Sequence, residues 1–181
     1  MLRRILLAIV IVLFVALNVL LISINLNRNK MTNEIKLTSS AFENNQTIPK
    51  RYGCDGENIN PPLFIDKIPT GTKSLTLIVD DPDAPSGDWV HWLLWNISPN
   101  TLNIGENSVP PNSIQGLNDF GNNKYDGFCS PKGTHRYFFK LYALDCVFDL
   151  NNYTNKSDLE NVMVGHIIGK TSLVGRYSKQ N

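Results

Sequence analysis

Apolar positions follow three different patterns along the chain. Over residues 5–24 they run almost without a break, and Asn18 and Ser23 are the only polar members. Twenty helical residues rising about 1.5 Å each would cover about 30 Å, the hydrocarbon thickness of a bilayer, so this run predicts an N-terminal transmembrane helix. Beyond residue 33 the apolar positions gather instead into short β-branched and aromatic runs bounded by Gly, Pro and Asp. These predict strands at 74–80 (SLTLIVD), 89–97 (WVHWLLWNI), 137–144 (YFFKLYAL) and 173–177. The second and third runs are apolar on both faces, as central strands covered on each side would be. The third pattern is helical: Leu159, Val162, Met163, His166 and Ile167 share one face, behind an N-cap at Ser157-Asp158 and ahead of a stop at Gly169.

Several strands and one late helix predict a mostly β sandwich with helix at its periphery. The chain is expected to divide into a membrane anchor and linker, 1–33, and one domain, 34–181. A cleaved signal peptide is the competing reading of the first segment. It calls for a small-x-small cleavage site, whereas the exit reads Ser23-Ile24-Asn25-Leu26-Asn27. Arg3 and Arg4 precede the span while Arg28 and Lys30 follow it. That balance slightly favours a cytoplasmic N-terminus and an extracytoplasmic domain, hence a single-pass membrane protein.

Charge narrows the partners. Seventeen Lys and Arg against sixteen Asp and Glu leave a formal net charge of +1 with no basic stripe, which argues against nucleic acid. The three cysteines lack metal-finger spacing, and no cofactor is expected. Cys146 follows an apolar strand and reads as a buried free thiol. Cys54 and Cys129 lie in Gly-rich loops, where a disulfide is possible if the domain is exported.

The candidate chemistry sits at strand ends beside long loops, 49–62, 81–88, 99–112 and 118–133, and loops of that length are usually functional. His91 is expected on one strand face with Leu93 and Trp95, and His135 on one face with Tyr137 and Phe139. Two imidazoles and a carboxylate are suited to holding a small anion. In Asp81-Pro82-Asp83-Ala84-Pro85, one carboxylate is expected to accept backbone N–H groups and the other to face the cavity. A cis Ala84-Pro85 bond would suit the bend. His166 reads as a packed helix residue, and Trp89, Trp92 and Trp95 as core or pocket wall.

Three motifs in order, Asp81-Pro82-Asp83-Ala84-Pro85, His91-Trp92-Leu93-Leu94-Trp95-Asn96 and Gly133-Thr134-His135-Arg136-Tyr137, resemble the phosphatidylethanolamine-binding protein family, which includes the Raf kinase inhibitor proteins. Cys54-Asp55-Gly56-Glu57-Asn58, Asp119-Phe120-Gly121 and Tyr142-Ala143-Leu144-Asp145 resemble its bacterial and archaeal (YbhB/YbcL-type) branch. The resemblance covers nearly all of 34–181. It implies a sandwich of two antiparallel sheets and a small pocket for phosphate-like anions or phospholipid headgroups. By motif, Asp81, His91 and His135 would line that pocket, with Tyr137, Ser130 and Pro131 close by. Tyr177 would reach the rim, and Asp55 would border the cavity. The wall reads Cys129-Ser130-Pro131-Lys132 in place of the double-proline version.

Three other readings stand beside this non-catalytic one. Cys129 with His135 would form a hydrolytic thiol–imidazole pair. His91, His135 and Asp81 would hold a metal as two histidines and a carboxylate. The rim would bind a protein, as the family's kinase-regulating and protease-inhibiting members do.

Overall fold

Residues 13–23 and 35–179 are described by a computed structural model, in which the chain separates into two units, Met1–Asn33 and Glu34–Asn181. In the first, the described residues 13–23 are helical (α1). No helix among the described residues is long and apolar enough to cross a membrane. That overturns the transmembrane helix, and with it the single-pass membrane location and the extracytoplasmic placement of the domain. The remainder of the apolar run, and the linker up to residue 34, lie outside the described residues.

The second unit is built on eight strands. β1 (Lys36–Thr38), β2 (Leu63–Asp66) and β5 (Asn103–Ile104) form one antiparallel sheet in the order β1-β2-β5. β3 (Ser74–Asp81), β4 (Trp89–Ile97), β6 (Ile114–Gln115), β7 (His135–Leu144) and β8 (Ile167–Tyr177) form a second, in the order β6-β4-β3-β7-β8. Leu63 and Ile65 of the small sheet meet Leu75, Leu77 and Val79 of β3, Trp92 and Leu94 of β4, and Tyr137, Phe139 and Leu141 of β7. The other face of the large sheet carries Ile78, Leu93, Trp95 and Leu144. Leu159 and Met163 of helix α2 (Lys156–Met163) pack against them. β3 is therefore buried at every position, as the doubly apolar pattern requires. The mostly β sandwich of two antiparallel sheets with a helix late in the chain is what the structure shows.

Four local expectations are corrected. Asn155, not Ser157-Asp158, caps α2: its side chain accepts the Asp158 N–H at 3.0 Å. The helix ends at Met163, Gly165 turns the chain at φ +84°, and Ile167 and Gly169 already belong to β8. His166 is thus off the helix, exposed, and paired with Asp145 at 2.8 Å instead of packed. Cys146 is free but only partly buried. The Ala84–Pro85 bond is trans, since no described peptide bond is cis. The bend closes through Asp81 Oδ1, which accepts the Asp83 N–H at 2.9 Å, and through Gly87 at φ +97°.

Candidate functional site

β4 and β7, which carry the two histidines, are not neighbours. β3 lies between them, and it ends on Asp81. The start of β4, the end of β3, the start of β7 and the end of β8 therefore meet at one end of the large sheet, where Asp81 pairs with Trp89 and His135 pairs with Tyr177.

A β-bulge sets the direction of His91. Val79 opposes Trp92 and Asp80 opposes Val90, so His91 is the extra residue on β4. An inserted residue reverses the alternation of faces beyond it. His91 therefore does not share a face with Leu93 and Trp95. Its ring lies in the core between the sheets, 5.2 Å from Tyr137, 5.6 Å from Phe128 and 5.4 Å from Phe120.

His135 Nδ1 stands 2.7 Å from Asp81 Oδ2. A carboxylate can only accept there, so Nδ1 carries the hydrogen. His91 Nδ1 lies 2.7 Å from the Asp126 carbonyl, which likewise fixes the hydrogen on Nδ1. Burial pushes the His91 pKa below its ordinary value, opposed by the Asp126 carbonyl and the Asp81 carboxylate. Tyr137 lies between the imidazoles, its ring centroid 6.4 Å from the nearly parallel His135 ring. Burial first, then the Asp81 carboxylate, hold its phenol far above the ordinary range, so it remains an O–H donor. That hydroxyl is buried without a hydrogen bond of full geometry, and the Asp81 carboxylate and the Cys129 backbone are the polar groups nearest to act on it.

The second carboxylate of the loop clamps it. Asp83 accepts the Arg136 backbone N–H at 2.9 Å and its guanidinium at 2.8 and 2.6 Å, which lowers the Asp83 pKa to about 2. Asp83 thus accepts a backbone N–H and a guanidinium, while Asp81 accepts the Asp83 N–H and pairs with His135.

The remaining expected residues form the surroundings. Tyr177 donates to Asp55, which also pairs with Lys50 at 3.5 Å. Gly53 permits this approach, since a Cβ there would overlap the Tyr177 hydroxyl. Ser130 is buried and donates to the Gly133 carbonyl at 2.6 Å, closing a turn whose exposed outer edge is Pro131. Cys54 and Cys129 form a disulfide with Cα atoms 5.3 Å apart. Cys129 therefore offers no thiol to His135, which corrects the hydrolytic pairing. Among the described residues, the cluster close enough to share a metal is Asp145, Cys146 and His166, not Asp81 with the two histidines.

The site is nearly closed. Asp81, His91 and His135 converge and are only 3%, 2% and 7% exposed. Two surface clefts lie away from them, one lined by Asn58, Trp92, Gln115 and Tyr125, another by Lys140, Tyr142 and Lys170. Sequence reasoning missed Asp126, whose contribution is a backbone carbonyl, and Phe128, which stands 4.3 Å from Tyr137. The aromatic within Asp126-Gly127-Phe128 was the available signal.

Residues 38–178 match the family model described as phosphatidylethanolamine-binding protein. A UPF0098 protein of Methanothermobacter thermautotrophicus is 48% identical over 150 residues, spanning 80% of this chain and 99% of that protein. The UPF0098 protein PH1269 of Pyrococcus horikoshii is 46% identical over 78% of this chain and 76% of its own. Among solved structures, the phosphatidylethanolamine-binding protein homologue CT736 from Chlamydia trachomatis superposes with a TM-score of 0.79 at 42% identity, covering 82% of this chain and 99% of CT736. YbcL of E. coli, described as a member of the mammalian PEBP family, gives 0.76 at 27% identity, covering 81% and 99%. With three motifs in order, one sandwich and this extent of match, the chain belongs to the phosphatidylethanolamine-binding protein family.

Proposed function

We propose that the domain is a binding protein and not an enzyme, and that it captures a small phosphate-like anion, free or as a phospholipid headgroup, between His91, His135 and Tyr137. The observation that carries this reading is the convergence of the buried Tyr137 hydroxyl with the oriented rings of His91 and His135 around Asp81. A phosphate oxygen would compete with the Asp81 carboxylate for the phenol hydrogen. Asp81 supports the arrangement by holding His135 in one tautomer and one orientation.

Affinity should be modest. Charge-assisted hydrogen bonds contribute about 1.5–3 kcal/mol each, and desolvation of the anion opposes them, which places dissociation constants at roughly micromolar to millimolar.

Titration with inorganic phosphate and with phosphoethanolamine, followed by NMR, tests the proposal. Tyr137→Phe should weaken binding about ten- to a hundredfold, since one charge-assisted donor to the anion is lost. His135→Ala should weaken it at least as much. Unchanged affinity in both variants would refute the reading. A preference for phosphoethanolamine over phosphate would point to the headgroup as the source of the anion.

A further inference from the structure

We propose that Asp145, Cys146 and His166 form a site for a borderline-soft divalent cation of the zinc type. This site is independent of the anion cluster. β7 begins at His135 and Asp145 follows its far end, so ten strand residues at about 3.3 Å each put the two roughly 30 Å apart.

The backbone positions all three side chains before any ion arrives. The Asp145 N–H donates to the His166 carbonyl at 3.1 Å, clamping the segment after β7 to the one before β8. The His166 N–H donates to the Met163 carbonyl at 3.0 Å, and Gly165, at φ +84°, makes the turn that brings it there. Ser74 Oγ donates to the Cys146 carbonyl at 2.5 Å, tying the third segment to β3. Phe148 borders the imidazole, with ring centroids 6.2 Å apart.

One carboxylate oxygen, one imidazole nitrogen and one sulfur then lie within 4.8 Å of one another. Zinc bonds nitrogen and oxygen at about 2.0–2.2 Å and sulfur at about 2.3 Å, so tetrahedral ligand atoms stand roughly 3.3–3.8 Å apart. Small rotamer adjustments close that difference. The donor set selects the ion class: magnesium and calcium prefer oxygen throughout, whereas mixed S, N and O donors suit zinc or cobalt. Three protein ligands leave the fourth position to water, and the half-exposed Asp145 and His166 side chains give it access.

Charge also balances. The ion displaces the thiol proton to solvent, and the resulting thiolate and the carboxylate neutralise a dication. The Asp145–His166 pair alone would account for those two residues as a surface ion pair, but it leaves the adjacent sulfur without a role.

Because Cys54 and Cys129 are bridged, Cys146 is the chain's free thiol and thiol readouts report this site alone. The full chain, disulfide intact, is titrated with cobalt(II) and then zinc. The expected result is a thiolate-to-cobalt charge-transfer band that one equivalent of zinc removes, with zinc slowing alkylation of Cys146. Cys146→Ser and His166→Ala should each abolish the band and weaken zinc binding at least about tenfold, whereas His135→Ala should change neither. Absence of the band, a band that persists in His166→Ala, or zinc binding that survives both substitutions overturns the proposal.

Discussion

His91 is enclosed by Phe120, Phe128 and Tyr137, with its Nδ1 hydrogen committed to a carbonyl. Burial lowers its pKa from the ordinary value near 6.5, so at neutral pH the free protein presents Nε2 as an acceptor. A bound phosphate oxygen would favour the imidazolium and raise the pKa. Between the free and bound values, binding then takes up a proton, and affinity falls as pH rises through that window. Below the free pKa no proton is exchanged. Calorimetry of phosphate binding near pH 7, in buffers of different ionisation enthalpy, should show net proton uptake that disappears in His91→Gln. Zero uptake in the unsubstituted protein would contradict this protonation scheme. Asp81, His91, His135 and Tyr137 were legible in the chain because each stands in a short distinctive motif. It could not show that His91 turns into the core, because the bulge arises from pairing with β3.

Helix α2 is only eight residues long, too short to be stable alone, so its existence depends on contacts outside itself. Leu159 and Met163, one turn apart, are buried against Ile78, Leu93 and Trp95 of the large sheet. Lys156 in its first turn reaches the fully buried Asp80 of β3 at 2.6 Å, and Lys140 of β7 reaches the same oxygen. Packing should therefore outweigh capping. Asn155→Ala is expected to cost about 1 kcal/mol and Leu159→Ala about 2–5 kcal/mol in urea unfolding. Equal costs would mean that local helix propensity, not the sheet, holds the element. The helix was legible from its 3.6-residue spacing, but its ends were not. His166 and Ile167 continue the apolar pattern, and only pairing with β7 shows that Ile167 belongs to a strand.

Across the whole domain, the Cys54–Cys129 bridge joins segments 75 residues apart in the chain and sits beside the site. Gly53 bridges Phe128, and the Cys54 N–H donates to the Phe128 carbonyl at 3.0 Å, so the bond braces the aromatic that stands against His91 and Tyr137. A native disulfide typically contributes about 2–4 kcal/mol. Cys54→Ser with Cys129→Ser should lower unfolding stability by about that amount and weaken phosphate binding; full stability after the double substitution would show that the hydrogen bonds already hold these loops. Elements with strong periodicity and the motif-borne residues could be read from the chain, since alternation, apolar runs and short motifs are local properties. Hydropathy alone also suggested a membrane span, which no helix among the described residues is long and apolar enough to form. Tertiary structure decided that β3 separates the two histidine strands, that Cys54 and Cys129 meet, and that the site is nearly sealed. Each of these depends on which distant segments lie side by side, and strand pairing and burial are properties of the assembled sheet, not of any one segment.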